Sequence, residues 1–86
     1  PDLTGVSVLV VDGSAATGGT LSTHAALQHM KADIVLVGDG ADALALAAKR
    51  PFDVALIDDG SPGLDGLHVL RKLHELRPFM GLVLYT

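Results

Sequence analysis

Three residues with oxygen-bearing side chains lie where short apolar runs of the sequence end. They are Asp12 after Val6–Val11, Asp58 after Val54–Ile57, and Thr86 after Leu82–Tyr85. Runs this short favour strands that are buried on both faces over free-standing helices. In open sheets of parallel strands, ligands bind beyond the carboxyl ends of the strands. The sequence therefore predicts a ligand site made of two carboxylates and a hydroxyl from three separate strands.

The segment after Asp58 gives the clearest signals around this predicted site. Pro62 and Gly63 predict a tight turn, and Asp65 is a suitable N-cap for a helix that follows it. The apolar residues of that helix recur at helical spacing; they are Val69, Leu70, Leu73 and Leu76. The pattern thus places the Asp58 carboxylate at a strand end, directly before a loop that leads into a helix.

The remaining elements alternate between helix and strand. Thr20–Met30 has apolar residues at spacings that fit an amphipathic helix, and Ile34–Val37 is a further short strand. A second helix follows the turn signal Gly38–Gly40 and ends before Pro51. The apolar stripe of this helix is Ala41, Leu44, Ala45 and Ala48. The basic residues expected on the exposed face of the last helix are Arg71, Lys72 and Arg77.

This alternation predicts an α/β fold. Strands that alternate with helices form a parallel sheet with helices on both faces, joined by right-handed crossovers. We expect the flavodoxin-like, doubly wound arrangement with strand order 2-1-3-4. In that order the first and third strands are neighbours. Asp12 and Asp58 would then lie together where the strand order reverses.

Length and composition limit the class of protein. The 86 residues form one domain, with 49% hydrophobic residues and a net charge of −4. An acidic excess without a Lys/Arg cluster argues against nucleic acid binding by this segment. No Cys, no membrane-length apolar stretch and no signal peptide occur, so we expect a cytoplasmic protein without disulfides. The chain begins at Pro1 without a Met, and we therefore expect a processed or excised piece.

From Val6 to Thr86 the chain resembles the receiver domain of two-component response regulators. The features that carry this resemblance are Asp12 and Asp58 at strand ends, Pro62 four residues after Asp58, Asp65-Gly66 at a helix start, and Thr86 at a strand end. Each feature alone is weak, whereas the ordered set with these spacings is fairly specific. The resemblance implies a partial receiver-like domain over residues 1–86, without the family's fifth strand and last two helices.

The resemblance also implies a function. Asp58 would accept a phosphoryl group from the phosphohistidine of a sensor histidine kinase or a phosphotransfer protein. The domain would then be the substrate of a kinase rather than an enzyme, and Thr86 would hydrogen-bond the phosphoryl group. Asp12, Asp58 and the main-chain carbonyl of Gly60 would hold Mg²⁺, which prefers oxygen ligands and neutralises charge in phosphoryl transfer.

The sequence departs from the family at several points. Two adjacent acids normally follow the first strand, whereas Asp12 is followed by Gly13, so we expect a weakened Mg²⁺ site. Asp59 is a poor substitute because adjacent residues of a strand point in opposite directions. The Lys that pairs with the phosphoryl group in the family would lie beyond Thr86. The last strand would be an apolar sheet edge without charges, which predicts association of the chain into a homodimer.

Two other functions are alternatives. A degenerate receiver domain that acts in phosphorylation-independent interaction or dimerisation is favoured by Gly13 and by the absent Lys. A flavin- or nucleotide-binding α/β domain is weaker, because Gly19 occupies the Lys position of the phosphate-binding loop that Gly13, Gly18 and Thr20 mimic. The histidines lack the spacing of a zinc site and are expected on the surface; they are His24, His29, His68 and His74.

Overall fold

A computed structural model describes residues 2–13, 28–60 and 63–85 of the chain. Within these ranges the elements are β1 (Ser7–Val11), β2 (Asp33–Val37), α1 (Gly40–Lys49), β3 (Val54–Asp58), α2 (Gly66–Leu76) and β4 (Gly81–Tyr85). Gln28 and His29 have helical backbone, in agreement with the predicted helix over 20–30. The rest of that helix up to residue 27 lies outside the described residues, as do Pro62 and Thr86.

The described strands form one parallel sheet in the order β2-β1-β3-β4, which confirms the predicted strand order. All strands run in the same direction, so their carboxyl ends share one rim of the sheet and their amino ends share the other. At the amino rim, Ser7 and Asp53 join β1 to β3. The Asp53 N–H donates to the Ser7 carbonyl at 3.0 Å, and the Ser7 N–H donates to Asp53 Oδ2 at 2.7 Å.

Both described helices pack on one face of the sheet, here called the helical face. Side chains alternate along a strand, so every second residue of β1 and β3 points to this face. These residues, each 0% exposed, are Leu9, Val11, Ala55 and Ile57. They form a single buried cluster with Ala43 and Ala47 of α1 and with Val69 and Leu73 of α2. Burial of this apolar surface is the main favourable contribution to the stability of the fold.

Helix α1 buries a different stripe from the predicted one. Ala43 and Ala47 are buried, whereas three residues of the predicted stripe are exposed, namely Ala41, Ala45 and Ala48. Alanine occurs all round this helix, so the sequence offers more than one apolar face. The buried face is the one on which Gly40 approaches α2. A Cβ built on Gly40 would lie 2.6 Å from Cγ2 of Val69.

Acidic residues cap both helices. Oδ1 of Asp39 accepts the N–H of Asp42 at 2.7 Å, and Oδ1 of Asp65 accepts the N–H of His68 at 3.1 Å. These bonds satisfy N–H groups that have no partner within their own helix. The Asp65 cap confirms the predicted start of α2.

The end of α2 is tied to α1 by a side chain. Nε of Arg77 donates to the carbonyl of Ala47 at 3.0 Å. Arg77 is half-buried, so its predicted exposure is wrong, whereas Arg71 and Lys72 are exposed as predicted. A guanidinium can reach a main-chain carbonyl at the end of a neighbouring helix while its stem covers apolar surface. Arg77 therefore belongs to the packing between the helices.

The other side of the sheet is here called the open face. Burial on this face is complete at β1, where Val8 and Val10 are 1% and 0% exposed. It is partial at β3, where Val54 and Leu56 are half-buried, and Val83 of β4 is 46% exposed. Burial on the open face thus decreases from β1 to β4.

Candidate functional site

The two predicted carboxylates lie at the carboxyl rim on neighbouring strands. Val11 is opposite Ile57 in the register of β1 and β3, so Asp12 and Asp58 each come one residue later on adjacent strands. The Asp12 N–H donates to the Val37 carbonyl at 3.0 Å, which continues the β1–β2 ladder by one residue. Since paired strands lie about 4.8 Å apart, the main chains of the two acids are side by side.

By the alternation of side chains along each strand, Asp12 and Asp58 both lie on the side of the open face. Asp58 continues the half-buried series of β3, and Asp12 continues the buried series of β1 and is itself 1% exposed. A carboxylate with so little access to water needs hydrogen bonds or a cation nearby. Two carboxylates that approach each other repel unless a proton or a cation reduces their charge. Two carboxylates on adjacent strands at one rim are oxygen groups of the kind that a cation can bind.

The loop after β3 orients the Asp58 carboxylate. The N–H of Gly60 donates to Oδ1 of Asp58 at 2.9 Å, which closes a short turn between the two residues. Gly60, the predicted main-chain ligand, thus lies beside the predicted phosphoryl acceptor. The fold brings Asp12, Asp58 and Gly60 to one rim, while their roles as acceptor and metal ligands stay predictions.

Thr86, the predicted phosphoryl contact, lies outside the described residues. The strand that it follows ends beside the site, because Tyr85 is opposite Asp58 in the register of β3 and β4. The N–H of Asp59 donates to the Tyr85 carbonyl at 2.7 Å. The last described residue of β4 therefore borders the loop that carries Asp58.

Asp59 contacts the start of α2. Its Oδ1 accepts the N–H of Gly66, the first residue of this helix, at 3.0 Å. This contact agrees with the expectation that Asp59 points away from the side chain of Asp58. The contact itself was not predicted, because no short sequence motif indicates a cap supplied from seven residues upstream.

The predicted ligand groups at the carboxyl rim are of the chemical type that Mg²⁺ binds. Two carboxylates and a main-chain carbonyl are all oxygen ligands, and Mg²⁺ in proteins takes one or two carboxylates and completes its shell with other oxygens. Within residues 2–13, 28–60 and 63–85, no three His, Cys, Asp or Glu side chains are grouped to hold a metal ion. Gly13, next to Asp12, is exposed and brings no side-chain ligand.

The other residues considered in the sequence are exposed or lie outside the described residues. His29, His68 and His74 are exposed, as predicted, while His24 and the segment Gly18–Thr20 lie outside the described residues. In the part of the chain that the structure describes, neither helix has the length and apolar character that a membrane crossing requires.

Comparison with known proteins adds to this geometry. No protein-family model matches the chain. The Mycobacterium tuberculosis protein named "Probable transcriptional regulatory protein TcrX" is 36% identical over 81 residues, which cover 94% of this chain and 34% of that protein. A CheY-like response regulator receiver domain protein from Methanospirillum hungatei is 29% identical, with a TM-score of 0.79 over 92% of this chain and 62% of that one. In its fold the chain is a receiver-type domain.

A further solved structure supports the fold of this receiver-type domain. The receiver domain of the sensor histidine kinase PA1611 from Pseudomonas aeruginosa is 24% identical, with a TM-score of 0.80 over 96% of this chain and 68% of that one. That protein has a magnesium ion coordinated in its active site cleft. The chain spans about a third, 34%, of the length of the Mycobacterium tuberculosis protein named above.

Proposed function

We propose that this receiver-type domain accepts a phosphoryl group on Asp58, from the phosphohistidine of a histidine kinase or of a phosphotransfer protein, in two-component signalling. The observation that supports the proposal best is the register of β1 and β3, which pairs Val11 with Ile57 and so brings Asp12 next to Asp58. In the transfer, a carboxylate oxygen of Asp58 forms the new P–O bond while the P–N bond to the donor imidazole breaks. The imidazole leaves with the electron pair of that bond.

The surroundings of Asp58 suit an acceptor of this kind. The residue is half-buried at a sheet rim, so its carboxylate is partly shielded from water yet open to a donor. The hydrogen bond from the Gly60 N–H to Oδ1 restricts rotation of the carboxylate. A restricted nucleophile loses less entropy on reaching the geometry of attack.

Asp12, Asp58 and the carbonyl of Gly60 would hold Mg²⁺ at this rim. When bound, this ion supplies positive charge to the phosphoryl oxygens. Asp12 would contribute a buried carboxylate on a main chain that is held by the hydrogen bond from the Asp12 N–H to the Val37 carbonyl. Thr86 completes the proposal as the hydroxyl that hydrogen-bonds the phosphoryl group, by its resemblance to the corresponding family residue.

A small-molecule donor tests this proposal. The chain is incubated with acetyl phosphate or phosphoramidate and Mg²⁺, and the intact mass is recorded. We expect one phosphoryl adduct in the wild type and in Asp33→Asn, an exposed acid at the amino rim, and none in Asp58→Asn. An adduct of undiminished yield in Asp58→Asn would contradict the assignment of the acceptor.

A second candidate function is interaction without phosphorylation, including homodimer formation. Two observations favour it. Gly13 adds no carboxylate beside Asp12, and no three His, Cys, Asp or Glu side chains of the described residues are grouped to hold a metal ion. In addition, β4 has no charged residue, with Val83 46% and Leu84 37% exposed. Unprotected edge strands tend to pair with other chains. The same mass measurement separates the two functions, since a degenerate receiver domain forms no adduct. Sedimentation at high micromolar concentration then tests for the dimer.

A further inference from the structure

The geometry points to Asp59 as a positioning residue for the Asp58 site. It would hold the loop that carries Asp58 and Gly60 in place by binding the first turn of α2. This inference rests on the proposed function, because it concerns the reactivity of Asp58. It assigns to Asp59 neither a metal ligand role nor contact with the phosphoryl group.

Asp59 is held from two sides. Its N–H donates to the Tyr85 carbonyl of β4 at 2.7 Å, and its Oδ1 accepts the N–H of Gly66 in α2 at 3.0 Å. The residues on either side of it, Asp58 and Gly60, are joined to each other by the 2.9 Å bond from the Gly60 N–H to Oδ1 of Asp58. Asp58 and the carbonyl of Gly60 therefore lie in one turn, and Asp59 links this turn to β4 and to α2.

Gly66 leaves just enough room for this contact. The residue is buried, and a Cβ built on it would lie 2.7 Å from Oδ1 of Asp59 and 3.0 Å from Cα of Asp59. The same Cβ would lie 2.8 Å from Cδ1 of Leu84. Real side chains do not approach this closely, so the Asp59 carboxylate packs directly on the backbone of the helix start. The contact depends on a glycine at position 66.

Asp59 and Asp65 both bond the N-terminus of α2, where the helix dipole favours negative charge. Asp65 binds the His68 N–H, three residues further along the chain, at 3.1 Å. Asp59 binds a group seven residues away and lies within the loop that contains Gly60. Loss of either acid removes one cap bond from the same helix. Only loss of Asp59 also releases the loop, so Asp65 supplies a matched control.

The closing experiment compares Asp59→Ala, Asp59→Asn and Asp65→Ala by the rate of adduct formation on Asp58 over a range of Mg²⁺ concentrations. The temperature is kept well below the unfolding transition of every variant. For Asp59→Ala we expect about a fivefold loss in rate and in apparent Mg²⁺ affinity, the ratio that corresponds to one net hydrogen bond of about 1 kcal/mol. Asp59→Asn keeps the acceptor oxygen and is expected within about twofold of the wild type.

Asp65→Ala separates positioning from helix capping. We expect it to lose stability as Asp59→Ala does, while its rate and Mg²⁺ dependence remain those of the wild type. Equal kinetics for the two alanine variants would overturn the inference. So would an Asp59→Asn variant as slow as Asp59→Ala, because the charge rather than the position would then be responsible.

The outcome for the wild type distinguishes this inference from the proposed function. A wild type that forms no adduct overturns the proposed function and the inference with it. A wild type that forms the adduct, together with an unaltered Asp59→Ala, overturns the inference alone. Gly66→Ala disturbs the contact between Asp59 and α2 from the helix side and is expected to slow adduct formation. If that variant does not fold, the Asp59 variants decide the question.

Discussion

The helical face and the open face of the sheet are built from the same strands but have different roles. On the helical face, Val11 and Ile57 are 0% exposed and pack in the apolar cluster with α1 and α2. On the open face, the next residues along the same strands are the carboxylates of Asp12 and Asp58. The alternation of a strand thus allows a core residue and a site residue to be chain neighbours. Stability and chemistry should therefore respond to different substitutions.

The largest expected effect on stability is on the helical face. Leu73→Ala removes a side chain that is 0% exposed between α2 and the sheet. We expect the free energy of unfolding to fall by about 3 kcal/mol, from lost apolar burial and the cavity that remains. Urea denaturation followed by circular dichroism measures this loss. Ile57→Val, a milder change in the same cluster, is expected to cost about 1 kcal/mol and is measurable if Leu73→Ala does not fold.

The matched substitution on the open face is Val83→Thr, which keeps a β-branched side chain at a position that is 46% exposed. A change of less than about 0.5 kcal/mol is expected there. A loss as large as that of Leu73→Ala would mean that the β4 end of the open face contributes to stability as strongly as the helical face, against the comparison drawn above.

The next effect concerns the contact between the two helices. Gly40→Ala places a Cβ 2.6 Å from Cγ2 of Val69, which is too close without movement of the helix. We expect a loss of about 1–2 kcal/mol, although alanine is the better helix former. Val69→Ala removes the clashing methyl group. In a double-mutant cycle, the loss of unfolding free energy in the double variant should therefore be smaller than the sum of the losses in the two single variants. Strict additivity would show that the clash is absent.

A smaller effect is expected at the end of α2. Arg77→Gln removes the 3.0 Å hydrogen bond from Nε to the Ala47 carbonyl, which should cost about 1 kcal/mol. The control is Lys72→Gln, whose side chain lies 3.8 Å from Glu75 and is 50% exposed. Exposed ion pairs of this kind contribute about 0–1 kcal/mol, so the control should change the urea midpoint less than Arg77→Gln.

The smallest effect on stability is expected at the site itself. Asp58→Asn keeps the oxygen that accepts the Gly60 N–H and removes one charge next to Asp12. The free energy of unfolding should therefore change by less than about 0.5 kcal/mol, while phosphoryl acceptance is lost. A destabilisation above about 2 kcal/mol, measured in the same urea assay, would place Asp58 among the structural residues of the fold.

Much of the fold could be predicted because its strands are short apolar runs with clear ends. Asp12 and Asp58 stop two of these runs, and the alternation of elements indicates a parallel sheet. The order 2-1-3-4 was expected as one doubly wound arrangement of such a sheet and agrees with the resemblance to receiver domains. The Asp65 cap was predictable for a similar reason, since helix starts have a local chemistry. These features depend on neighbouring residues, and a sequence displays such information directly.

Contacts between distant segments could not be predicted in this way. The buried stripe of α1 was mistaken because alanine surrounds the helix, and the choice between its faces depends on how close Gly40 comes to α2. The bonds from Asp59 to Gly66 and from Arg77 to Ala47 join residues that only the assembled fold brings together. Periodicity within one element carries no information about such pairs.

The hydrogen bonds between Ser7 and Asp53 at the amino rim limit how the strands can respond to a structural change at Asp58. Ser7 and Asp53 exchange hydrogen bonds between the starts of β1 and β3, which opposes sliding of one strand along the other. A slip of a single residue would turn a strand's side chains to the opposite side of the sheet. A structural change at Asp58 would therefore pass from its loop to α2 and to the end of β4, both of which Asp59 contacts, while β1 and β3 keep their register.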